Sequence, residues 1–160
     1  MNTRTLLATA IVSFIPLLAA DPARAGISDG LGSWEGSGTV SEASGADLGA
    51  FTVSLVRKRL GSAVVRADGV VTLASGQRIV FWQELEDRGK GGLRLVSSNG
   101  SGGGRCFPSG MCVIYEERAD GHAFSTSIAV DGPDKMRILV TELDHGKAIR
   151  FVQQTLSKKP

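Results

Sequence analysis

The sequence predicts an all-β domain, a single antiparallel up-and-down barrel of about 8–10 strands, with a two-sheet β-sandwich as the alternative. Three observations point there. Turn signals rich in Gly, Asp and Ser recur about every 12 residues, the spacing of neighbouring antiparallel strands. No window repeats apolar residues at the three- and four-residue spacing of a helix. All 21 glycines lie beyond residue 25, and each would cost a helix about 1 kcal/mol relative to alanine. Closing such a meander removes the unpaired edges that promote aggregation, which favours the barrel over the sandwich.

Residues 1–25 read as a removable export signal. Arg4 and the amino terminus are positive, Leu6 to Ala20 is almost wholly apolar, and Ala23-Arg24-Ala25 fits the small-x-small cleavage rule. The apolar stretch is short for a membrane span and is interrupted by Pro16. Cleavage after Ala25 leaves one barrel domain, 26–160, with no membrane span, delivered to the periplasm or secreted. The 18 basic and 16 acidic side chains nearly balance, so the chain lacks the concentrated basic face of a nucleic-acid binder. The densest cluster, Arg57-Lys58-Arg59, is split between two strand faces by alternation.

The first predicted strand, 33–40, sets Trp34 beside Gly36 and Gly38, glycines that relieve crowding where a barrel strand bends. Ser44-Gly45-Ala46-Asp47 links it to 49–59, where Phe51, Val53 and Leu55 alternate onto one face. Leu60-Gly61-Ser62 turns the chain into 63–73, with Val64 and Val70 assigned to the interior. Ala74-Ser75-Gly76 turns it again into 77–86. There Ile79-Val80-Phe81-Trp82 is apolar on both faces, which predicts cover on both sides. Arg88-Gly89-Lys90-Gly91-Gly92 leads into 93–98, and Asn99-Gly100-Ser101-Gly102-Gly103-Gly104 reads as a flexible, low-complexity loop. Strands 111–118, 122–130, 135–143 and 147–156 complete a set of about nine. Asp- and Gly-containing links separate these last four, where Gly accepts positive φ and Asp bonds its own backbone.

Gly32-x-Trp34, at the head of the first strand and ahead of a long meander, resembles the lipocalin and calycin group of barrels. The longer stretch Gly32-Ser33-Trp34-Glu35-Gly36-Ser37-Gly38 is similar to the first strand of bacterial fatty-acid-binding-protein-like barrels. The resemblance implies that Trp34 plugs one barrel end and that an arginine from a late strand packs across its ring. Arg150 is the candidate, with Arg137 as alternate.

Cys106 and Cys112 are the only cysteines. In an exported chain they are expected to form a disulfide, and their spacing is neither a redox Cys-x-x-Cys nor a zinc pattern. His122 and His145 sit in turns two apart in the meander, a spacing compatible with the same barrel end, and read as solvated turn residues. Glu84, Glu86, Glu116 and Glu117 read as exposed strand carboxylates. No Gly-x-Ser-x-Gly elbow, His-Glu-x-x-His or phosphate loop occurs. No metal, cofactor or catalytic residue is therefore expected, and an enzyme ranks last.

The remaining candidates are apolar. Phe51, Val53, Phe81, Leu95, Phe124, Ile138 and Phe151 are the expected pocket residues, with Trp82 and Tyr115 suited by their polar tips to a cavity mouth. The reading that follows is a non-catalytic exported barrel binding a small, largely apolar ligand. Its alternative is an envelope or secreted interaction module contacting a protein partner through residues 99–112.

Overall fold

The computed structural model describes residues 30–160. The expected export signal at 1–25 lies outside the described residues. Ten strands run in chain order: β1 (Gly32–Glu42), β2 (Asp47–Arg59), β3 (Val64–Leu73), β4 (Arg78–Gly89), β5 (Gly92–Ser97), β6 (Ser101–Cys106), β7 (Met111–Glu117), β8 (His122–Val130), β9 (Lys135–Asp144) and β10 (Lys147–Lys158). Each pairs antiparallel with its neighbours in sequence, and β10 returns to β1, so the sheet is a closed up-and-down barrel rather than a sandwich. Among the described residues no helix is long and apolar enough to cross a membrane.

Alternation explains which side chains enter the barrel. In β2, Phe51, Val53, Leu55 and Arg57 are buried while Thr52, Ser54, Val56 and Lys58 are exposed. The consecutive valines of β3 leave that parity ambiguous in the sequence. Direct pairing of Val53 with Val71 and of Arg59 with Val65 puts Val65 and Val71 inside, and Val64 and Val70 outside. The outer face of β4 is likewise uncovered. Val80 is 75% exposed, and Trp82 lies under the Arg66 guanidinium, 4.7 Å from its ring centroid. A closed barrel offers cover only from within, so a strand apolar on both faces keeps one of them in solvent.

Closure of β10 on β1 depends on two glycines. A Cβ at Gly36 would collide with the Thr155 carbonyl, and one at Gly38 with the Gln153 carbonyl and the Phe51 ring. Phe51 sits directly opposite Gly38, and Phe81 directly opposite Gly69, so each ring lies over bare backbone. An aromatic covering a cross-strand glycine in this way restores the packing that the missing side chain forfeits.

The run Gly102-Gly103-Gly104 is a strand, not a loop. It forms β6, paired on both sides with β5 and β7. A Cβ at Gly102 or Gly104 would strike the carbonyl of Tyr115 or Val113, so glycine here permits close strand approach. Cys106 and Cys112 are directly paired across β6 and β7 and joined by a disulfide. The hairpin they close is flanked on both sides and is not an edge.

Two core clusters pack the interior. Trp34, Phe51, Val53, Leu55, Ala67, Met136 and Leu156 form the first, and Val65, Leu85, Leu93, Leu95, Cys106 and Ile114 the second. Trp34 is fully buried, and its Nε1–H donates to the Gly30 carbonyl at 2.9 Å. The chain just before β1 thus folds across the barrel end and is pinned there by the indole.

Replacing Trp34 with alanine is expected to destabilise the domain by about 3–5 kcal/mol, the usual range for a buried large aromatic. Urea denaturation measures this, and a loss below about 1 kcal/mol would mean that the plug is dispensable.

Candidate functional site

The barrel ends differ. At the plugged end lie Gly30, Trp34, Arg57, Met136 and Leu156, all buried. At the other end the inward positions are wet: Ile79 is 46% exposed, and Phe81, Val71, Val140 and Val152 are partly exposed. Between them lies a cavity of about 280 Å³. That is at the lower edge of the ~300–1,000 Å³ typical of small-molecule sites.

Most of the wall is apolar, including Val53, Leu55, Val71, Phe81, Phe124, Ile128, Ile138 and Val140. A polar stripe runs through the rest. Arg57 pairs with Ala67, Ala67 with Gln83, and Gln83 with Ser97, so one row of inward positions carries three polar side chains. Ser97 Oγ accepts the backbone N–H groups of Asn99 and Gly100 at 3.0 Å and donates to Glu116 Oε1 at 2.6 Å. Glu116 is only 7% exposed, so the expectation of a solvated strand carboxylate fails for it. Arg118, next on the same face, also lines the cavity, with its guanidinium carbon 4.2 Å from the Phe124 ring centroid.

Of the residues singled out from sequence, Val53, Phe81, Phe124 and Ile138 line the cavity. Phe51 and Leu95 point inward but belong to the packed clusters. Trp82, Tyr115 and Phe151 are on the outer face, Tyr115 being 43% and Phe151 44% exposed. Phe151 faces out because it pairs with Ser41 and Thr141, one step out of phase with the inward Val152–Val40 pair. The Arg66 guanidinium beside Trp82 also hydrogen-bonds Asp68 and Glu84, and holds the Asp68 carboxyl below the usual carboxylate range.

Arg150 does not meet Trp34. The β10 residue opposite Trp34 is Lys158, whose Nζ lies 5.8 Å from the ring centroid. Arg150 is opposite Glu42, eight strand positions away, or about 26 Å at the rise of an extended chain. It bonds Glu142 at 3.1 Å at the open rim, where His122 Nδ1 lies 3.2 Å from the other Glu142 oxygen. Arg137 pairs with Asp131 on the surface and pulls its carboxyl to a lower pKa. The arginine at the plugged end is Arg57, from an early strand, lying against the same Gly30 that accepts the Trp34 bond.

His122 and His145 do share the open end. His145 takes positive φ (48°) ahead of Gly146, in the two-residue hairpin joining β9 and β10, and its ring lies over Gly121. Among the described residues no group of three or more His, Cys, Asp or Glu side chains is placed to hold a metal ion. The sequence reading missed Arg57, Gln83, Glu116, Arg118 and Gln154 as cavity residues. Strand parity could have found Glu116 and Arg118, which sit two and four positions beyond the inward Ile114.

Neither a protein-family model nor a curated protein sequence matches the chain. Solved structures do share its fold. The S-type phycobiliprotein lyase CPES from Guillardia theta superposes with a TM-score of 0.68 at 12% identity, over 82% of this chain and 89% of that one. Rv2717c from Mycobacterium tuberculosis gives 0.62 at 15% identity, over 83% and 94%. A DUF3598-family protein of unknown function from Nostoc punctiforme gives 0.60 at 12%, over 82% of this chain but 48% of that one. At such identities the likeness establishes a lipocalin-like barrel and nothing finer.

Ser97 bonds the Glu116 carboxylate and ties down the β5–β6 turn at once. Ser97→Ala is expected to cost about 1–3 kcal/mol, the penalty of leaving buried polar groups unpaired. Chemical denaturation reads the loss, and a change below about 0.3 kcal/mol contradicts this role for the hydroxyl.

Proposed function

We propose that this chain is an exported, non-catalytic barrel that takes a small, largely apolar ligand into the cavity between Trp34 and the open rim. One observation carries the reading: a cavity of about 280 Å³, walled mostly by apolar side chains, lies inside the barrel beside the buried plug. A ligand entering there removes its own surface and that of Val71, Phe81, Ile138 and Val140 from water. Each 100 Å² of apolar surface so buried contributes about 2.5 kcal/mol. The Cys106–Cys112 disulfide and the export signal expected at residues 1–25 support delivery to an oxidising compartment, periplasmic or extracellular. The interaction-module alternative loses its main support, because the glycine run in 99–112 is a paired strand rather than a mobile loop.

The test is a titration with the neutral fluorophore N-phenyl-1-naphthylamine. Saturable one-to-one binding is expected. Val140→Trp, which fills the cavity from β9, is expected to weaken it at least about tenfold, whereas Val56→Trp on the outer face leaves it intact. Circular dichroism checks both folds, and Val71→Phe replaces Val140→Trp if the latter does not fold. No saturable binding, or equal loss from the inner and outer variants, contradicts the reading.

A further inference from the structure

We infer that the plugged end of the barrel docks on an anionic lipid surface, with Phe107 and Met111 entering the headgroup layer and a ring of lysines and arginines meeting the lipid phosphates. This is independent of what the cavity holds. It rests on where basic side chains gather in the folded barrel and on what stands exposed among them.

An up-and-down meander sends alternate turns to the same end, so the β2–β3, β4–β5, β6–β7 and β8–β9 connections all lie at the end that Trp34 closes. Lys58 and Arg59 lead into the first, Arg88 and Lys90 belong to the second, Arg105 enters the third and Lys135 leaves the fourth. Lys158 and Lys159 arrive there at the end of β10. All of these are exposed, and the acids in the same connections (58–63, 87–91, 105–111, 131–135 and 157–160) are Asp87, Asp131 and Asp134. Glu35 pairs with Lys159, but the other acids nearby are shared. Asp68 takes both Lys58 and Arg66, Glu86 takes both Arg88 and Arg94, and Asp131 is held by Arg137, so ion pairing does not cancel the excess. In the turns of the opposite end, Glu42, Asp47, Asp120 and Asp144 stand against Arg78, Arg118 and Lys147, close to balance. The near balance of charge along the sequence, which spoke against any concentrated basic face, therefore conceals a positive end.

Apolar side chains project from that end. Leu60 is 52% exposed in the β2–β3 turn, and Phe107 is 40% and Met111 39% exposed in the β6–β7 turn. The Phe107 N–H donates to the Met111 carbonyl at 2.8 Å, one residue beyond the Cys106–Cys112 bridge. Alternation sets both side chains opposite the buried Cys106, while the disulfide and Pro108 hold the tip in shape. A tip fixed in advance loses little conformational freedom on docking. Arg105 lies beside it and donates to the Lys90 carbonyl at 3.4 Å, which joins the tip to the basic β4–β5 turn. Apolar residues framed by lysine and arginine suit an anionic membrane, because phosphates attract the cations while the apolar groups leave water. A nucleic-acid backbone would satisfy the cations and leave Phe107 and Met111 in water.

The test is cosedimentation of the chain 26–160, which contains the whole closed barrel and omits the apolar stretch 6–20, with phosphatidylcholine vesicles with or without an equal part of phosphatidylglycerol. Binding is expected only with phosphatidylglycerol present, and raising salt from about 0.1 M to about 0.5 M is expected to release most of the chain. Lys90→Glu combined with Lys135→Glu is expected to weaken binding at least about tenfold, whereas Arg78→Glu with Lys147→Glu, the same charge change at the opposite end, stays within about twofold. Phe107→Ser is expected to weaken it at least about threefold, and Phe151→Ser on the side wall to leave it intact. Circular dichroism checks each fold. Arg88→Gln with Arg105→Gln replaces the first pair if that pair does not fold, and Met111→Ser replaces Phe107→Ser likewise. No binding to phosphatidylglycerol vesicles, or equal loss from the two charge-reversed pairs, overturns the inference. Binding that Phe107→Ser and Met111→Ser both leave unchanged also overturns it, and assigns the basic end to a nucleic acid or another polyanion.

Discussion

The pairing of β10 with β1 is the interaction on which the molecule depends. It joins the last strand to the first, abolishes the sheet edges, and converts a meander into a container. Gly36 and Gly38 make it possible, since a side chain at either would meet the β10 backbone. The same strand places Trp34 at one end, where the indole anchors Gly30 and packs in a cluster with Met136 and Leu156. One eleven-residue strand thus closes the wall and plugs one end of it.

Closure has a second consequence. A ten-strand barrel is wider than the side chains of one end can fill, and in this chain several inward positions are glycine, serine or alanine. Large apolar residues pack around Trp34, and a cavity remains beside them in the interior. Arg57, Gln83 and Ser97 share one row of paired inward positions, and Ser97 bonds Glu116 from the neighbouring row.

Much of the fold was legible because turn chemistry and alternation are local. Asp and Gly between apolar runs marked the strand ends, and nine of the ten strands lie where the turns put them. β6 escaped because glycine reads as flexibility in sequence, whereas in the barrel it allows close contact between neighbouring strands. Phe151 was misplaced because aromatic character was taken for burial, when pairing with Ser41 and Thr141 sets it outside. The predicted partner of Trp34 failed on register: Arg150 and Lys158 lie on the same strand, and only the pairing with β1 shows which stands opposite the indole. The inward placement of Glu116 and Arg118 was passed over because a charge on a strand is ordinarily solvated, although their parity with Ile114 carried it.

The central claim is that a ligand sits inside this barrel, between a plug and an open rim. Methyl-resolved NMR of the isotope-labelled chain during titration with decanoate addresses it directly. The account predicts shifts in Val53, Val71, Ile138 and Val140, inside the wall, with Val56, Val80 and Leu139 on the outer face unmoved. Shifts confined to the outer valines and Leu139, or none at all at saturating ligand, would contradict it.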